Sequence, residues 1–126
     1  MLLSEYLTQI VEVIHNFSKA NLVIGSELKN DFRTEKDGII RGTIIFIDES
    51  VLHFTEYLDA RFKIEKLTYS YHYQKANGEL VFRYDNAEHK PKLHFKDHKH
   101  LSSGALIPSD PPDLKDLFTE ITDRLL

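Results

Sequence analysis

The stretch Asp85-Asn86-Ala87-Glu88-His89-Lys90-Pro91-Lys92-Leu93-His94-Phe95-Lys96-Asp97-His98-Lys99-His100 holds four of the chain's seven histidines. With Arg83 just upstream, its lysines outnumber Asp85, Glu88 and Asp97. Three chemistries fit. In the first, His98 and His100, two apart and so on one side of an extended chain, bind a metal. Asp97, His94 or His89 then completes an all-nitrogen-and-oxygen shell. In the second, no metal is needed and the substrate is a phosphodiester. A neutral imidazole takes a 2′-hydroxyl proton, a protonated one serves the leaving oxygen, and Lys or Arg steadies the charge. In the third, the segment is a solvated basic loop without catalysis. The histidines are internal and interleaved, unlike an expression tag.

A hairpin must present the partner groups. Leu67–Lys75 and Glu79–Asp85 flank Asn77-Gly78, a strong two-residue turn signal. That turn predicts Gln74 opposite Val81, Tyr73 opposite Phe82, His72 opposite Arg83, Tyr71 opposite Tyr84 and Ser70 opposite Asp85. One face then gathers Tyr69, Tyr71, Tyr73, Leu80, Phe82 and Tyr84. The other gathers Ser70, His72, Gln74, Arg83 and Asp85. The aromatic face reads as core, with a base-stacking platform as the alternative. On the polar face, Arg83 suits a phosphate and His72 suits proton transfer. Its bland alternative is a solvated sheet face with Asp85 paired to Arg83.

The remaining elements follow from periodicity. Residues 2–17 predict an amphipathic helix with Leu3, Leu7, Ile10, Val11, Ile14 and Phe17 as its stripe. A second helix, capped by Ser109 or Asp110 with Pro111 and Pro112 in its first positions, buries Leu114, Leu117, Phe118, Ile121 and Leu125. Between them the period is two. Strands are expected at Asn21–Arg33, Ile39–Ile47 and Val51–Leu58, then in the hairpin, with a short one at Leu93–Phe95 and loop from Lys96 to Pro108. In the third strand Glu56 shares the face of Phe54; if buried, it needs a partner such as Arg61 or Arg83. The fold class is α+β: an antiparallel meander of five to six strands with both helices packed on one face or end.

The chain has 126 residues, which fits a single domain over 1–126. With 41% apolar and 29% charged residues it is neither disordered nor collagen-like. The absence of cysteine excludes disulfides, thiolate nucleophiles and zinc–thiolate sites. A net charge of −4 argues against bulk electrostatic capture of nucleic acid. The first residues carry Glu5 and Glu12 and no basic leader, and no stretch is apolar enough to span a bilayer. The expectation is a cytoplasmic protein without membrane contact.

Taken together, Phe54-Thr55-Glu56-Tyr57, Tyr69-Ser70-Tyr71-His72-Tyr73, Phe82-Arg83-Tyr84-Asp85-Asn86-Ala87, His89 and Asp97-His98-Lys99-His100 resemble the TumE family of small toxins from type II toxin–antitoxin systems. The resemblance covers roughly residues 20–122. Their combined order is more specific than any single piece. It implies a toxin neutralised by a cognate antitoxin encoded beside it.

Three functions remain open. The first is a metal-independent endoribonuclease. Its catalytic residues would be His72, Arg83, His98 and His100; Lys99, Tyr84, Asp85 and His89 would contact substrate. It would need no cofactor and no metal. The second is a toxin or regulatory protein that binds without cutting. The third is a metal-dependent hydrolase built on His98 and His100. No glycine-rich phosphate loop supports ordinary nucleotide binding. The expected partners are the antitoxin, RNA and, through uncovered strand edges, a second copy of the chain. The basic 83–100 stretch is the expected antitoxin contact, with a strand edge as the alternative.

Overall fold

A computed structural model describes residues 1–88 and 92–125. Helix α1 (Leu3–Lys19) is followed by β1 (Val23–Thr34), β2 (Asp37–Phe46), β3 (Val51–Asp59), β4 (Glu65–Gln74), β5 (Leu80–Asp85), β6 (His98–Leu101) and β7 (Leu106–Pro108), then α2 (Leu114–Leu125). The strands make one antiparallel meander in sequence order. The expected α+β class holds, with seven strands rather than five or six.

Alternation along the strands decides which face is covered. Ile40, Ile44 and Phe46 of β2 and Leu52, Phe54 and Leu58 of β3 are buried, and both helices add their apolar stripes to that same core. Phe118 of α2 meets Phe17 of α1 and Phe46 of β2 edge-on, with centroids 4.9 and 5.5 Å apart. Each such side chain stabilises by about 1.5–3 kcal/mol on full burial. Val11 departs from the expected stripe: it is exposed, whereas Val13 packs on the core. The other face of the sheet carries the polar side chains of β2 and β3, Arg41, Thr43, His53 and Thr55, interspersed with Ile39, Ile45, Val51 and Tyr57.

The hairpin register is as expected from Ser70 opposite Asp85 to Tyr73 opposite Phe82. Its turn is not. Gly78 N–H donates to the Lys75 carbonyl and Lys75 N–H to the Glu79 carbonyl, both at 2.9 Å. Gly78, at φ 91°, closes a bulged turn in place of the two-residue one. Asn77 stabilises it by accepting the Glu79 N–H at 3.0 Å. Gln74 therefore faces Leu80, and Val81 rather than Leu80 packs on the core. The bulge absorbs the slip before it reaches Phe82, so the two faces keep their identities.

Residues 96–108 form a second hairpin, not a loop. Leu101 N–H donates to Ala105 O and Gly104 N–H to Leu101 O, the same pattern as the first turn, and Gly104 also has φ 91°. Leu93–Phe95 is not a strand, because β6 occupies the edge of β5 that it would need. Helix α2 starts later than expected. Asp113 is its cap, accepting the Asp116 N–H at 2.7 Å, so Ser109, Asp110 and both prolines precede the helix.

Candidate functional site

The antiparallel register carries side chains from six strands, β1 to β6, onto the outer face of the sheet. Cα pairing runs Thr43–His53–His72–Arg83–His100 in one row and Lys29–Arg41–Thr55–Ser70–Asp85–His98 in the next. Residues far apart in sequence thus lie side by side at the sheet's inter-strand spacing of about 4.8 Å.

Asp85 joins the two rows. Its Oδ1 lies 2.7 Å from His98 Nε2 and accepts the Ala87 N–H at 3.0 Å. Its Oδ2 lies 3.1 Å from His100 Nε2 and 2.9 Å from Arg83 Nε. Arg83 Nη1 in turn lies 3.4 Å from His72 Nδ1. His72, Arg83, Asp85, His98 and His100 therefore converge, as the residue types suggested.

Their environments differ. His98 is fully buried, and its Nδ1 lies 2.9 Å from the Lys96 carbonyl. Contacts at both ring nitrogens, to Asp85 and to the Lys96 carbonyl, fix the orientation of the ring. His98 is placed to hold the site together. His72, Arg83 and His100 are partly exposed. Burial, then the neighbouring Arg83 cation, holds the His72 imidazole below its ordinary value, with Gln74 opposing in part. Burial pushes the Asp85 carboxyl up, but the Ala87 N–H, Arg83 and His98 outweigh it and leave it below the ordinary carboxylate range.

Other expected contributors lie elsewhere. Tyr84 and Lys99 face the helices. The Tyr84 hydroxyl donates to Glu120 of α2 at 2.5 Å, and the Lys99 ammonium pairs with the same carboxylate at 2.8 Å while lying over the Tyr84 ring. Tyr69, Tyr71 and Tyr73 are buried, so the aromatic face is core and no stacking platform. His89 lies outside the described residues. Asp97 accepts the Tyr69 hydroxyl at 2.8 Å. Asn86 accepts the Tyr69 N–H at 3.1 Å and donates to Leu67 O at 3.0 Å. Tyr84-Asp85-Asn86 thus ties α2, the histidine cluster and β4 together through three successive residues.

Glu56 is fully buried, but neither Arg61 nor Arg83 is its partner. It accepts the Tyr6 hydroxyl at 2.6 Å and the Tyr71 hydroxyl, and Lys66 Nζ lies 3.3 Å away. Arg61 is held by Asp59, and Arg83 is on the opposite face of the sheet. Reading the hairpin alone missed Arg41, Thr43 and His53 as neighbours of the cluster. The β2–β3 and β3–β4 registers bring them there, with Thr43 Oγ1 lying 3.3 Å from His53 Nδ1.

Asp85, His98 and His100 also present one ligand atom each within 4.8 Å of one another. Among the described residues, no helix is long and apolar enough to cross a membrane. Residues 10–125 match the family model described as Toxin TumE. Neither the curated proteins nor the solved structures contain a match to this chain.

Proposed function

The chain belongs to the TumE toxin family, and from that premise we propose that it acts by cutting RNA without a metal. Membership carries a toxin role and, in general, an antitoxin partner. Action on RNA, a cytoplasmic site of action and a homodimer are part of the proposal.

The observation that supports cleavage most is the order His72–Arg83–His100 across three adjacent strands. Two imidazoles flank one guanidinium at a separation of roughly 10 Å between their backbones. That spacing suits a phosphodiester lying over Arg83. His72, whose affinity for protons is lowered by burial and by Arg83, takes the proton of the ribose 2′-hydroxyl. The 2′-oxygen attacks phosphorus, and the bond to the 5′-oxygen breaks. His100 supplies the proton that the departing 5′-oxygen takes up. The products are a 2′,3′-cyclic phosphate and a 5′-hydroxyl. Arg83 steadies charge on the non-bridging oxygens. Asp85 orients Arg83 and His100, and His98 anchors Asp85.

A metal-dependent hydrolase is the second reading, favoured by the Asp85, His98 and His100 cluster. Arg83 weighs against it, because its Nε already sits on the carboxylate that a metal would share. Incubating the purified protein with RNA in EDTA separates the two. Cleavage that persists supports the metal-free reading. Cleavage that stops and returns with a divalent ion supports the second, and intact RNA alongside growth arrest contradicts both.

A further inference from the structure

We propose that the outer face of β1–β4 is a phosphate track for single-stranded RNA, with Arg41 and Lys29 gripping the backbone a few nucleotides from the scissile bond. This deepens the reading above and rests on it.

A groove of about 370 Å³ runs over this face and includes His72 and Arg83 at one end and Lys29 and Arg41 at the other. The row Asp85–Ser70–Thr55–Arg41–Lys29 gives its direction. Three strand steps, roughly 14 Å, separate Asp85 from Arg41. On the β6 side the row ends at buried His98, whereas toward β1 it stays open. A bound chain has room to leave the cluster in that direction.

The groups along the groove match a sugar–phosphate backbone. Arg41 is exposed and has no ion-pair partner among the described residues. Lys29 pairs with Glu27 at 3.2 Å, but both side chains are largely exposed at 77% and 67%. Such a pair contributes little and can be exchanged for phosphate. The Thr55 and Ser70 hydroxyls make no hydrogen bond to any described residue, which fits donors awaiting ribose or phosphate oxygens. His53 offers an exposed ring, its centroid 6.4 Å from that of His72, for a base to stack upon. An open sheet face of this kind takes splayed single strands, not the closed grooves of duplex RNA.

The test uses the His72→Ala protein, in which cleavage should be slowed 10²–10⁴-fold, and a fluorescein-labelled single-stranded RNA 12-mer. Adding Lys29→Ala and Arg41→Ala should weaken binding about tenfold. It should also lower the slope of log affinity against log salt by about 1.4, from two lost contacts at ~0.7 each on a single strand. Lys63→Ala, which removes a cation outside the groove, should change neither. Unchanged affinity and slope in the double variant would overturn the track, even if antitoxin binding suffers. If the wild-type protein neither binds nor cuts RNA, the functional reading itself fails, a result distinguishable from failure of the track alone.

Discussion

Asp85 and His98 face each other across β5 and β6, with oxygen and nitrogen 2.7 Å apart in an almost fully buried contact. The contact holds β6 on the sheet and sets His100 beside Arg83.

Asp85→Asn should lower stability by about 1.5–3 kcal/mol, since it removes the carboxylate charge that the Arg83 guanidinium, the Ala87 N–H, His98 and His100 share. The folded carboxyl lies below its ordinary value. Its stabilising contribution is therefore complete above the unfolded value, about 3.9, and is lost as pH falls through the folded one. Urea titrations between pH 7 and pH 2 should show this acid loss in the wild type and a smaller one in Asp85→Asn. Equal pH dependence in the two proteins would contradict the assignment.

His72 should titrate below 6.5, followed by its ring-proton resonances in the protein without RNA. Removing the neighbouring cation with Arg83→Gln should move that midpoint upward. A general base acts when unprotonated, so the acid limb of cleavage should also fall below pH 6.5 in the wild type. A midpoint insensitive to Arg83 would break the proposed coupling.

Glu56 should prove structural. Glu56→Ala leaves Lys66 and two phenols without their buried acceptor, at a cost of about 3–5 kcal/mol. Burial, then Glu56, pushes the Tyr6 and Tyr71 phenols well above their ordinary value. Raised folded values give stability that is complete below about pH 10 and declines as pH rises beyond it. Absorbance at alkaline pH should show these two tyrosines ionising only as the protein unfolds.

Gly78→Ala is the control for the hairpin. At φ 91° an alanine should cost about 1 kcal/mol in stability. RNA cleavage by the remaining folded protein should be unchanged. A loss of activity beyond the unfolded fraction would show that the turn does more than close the ribbon.

Much of this was legible in the residues. Alternation from Ser70 to Gln74 separates tyrosines from His72, and the pairing of His72 with Arg83 follows from the hairpin. Ser102-Ser103-Gly104 carried the same turn chemistry as Ala76-Asn77-Gly78, but lacked flanking strands long enough to be recognised. The inward turn of Lys99 follows from its place between two histidines that face outward. Its partner Glu120 lies on a distant helix, so only tertiary packing reveals the pair. Likewise, Arg41 reaches the cluster through registers on both sides of β3, which no local pattern specifies.

The central claim is that His72 and His100 transfer protons on either side of a phosphodiester held by Arg83. Its most direct measurement is the end chemistry of RNA treated with the wild type, His72→Ala and His100→Ala in EDTA. The account predicts 2′,3′-cyclic phosphate and 5′-hydroxyl ends from the wild type, and a 10²–10⁴-fold slower reaction in each variant, roughly the worth of one general acid or base. Ends bearing a 5′-phosphate, or folded variants that cut at the wild-type rate, would contradict it.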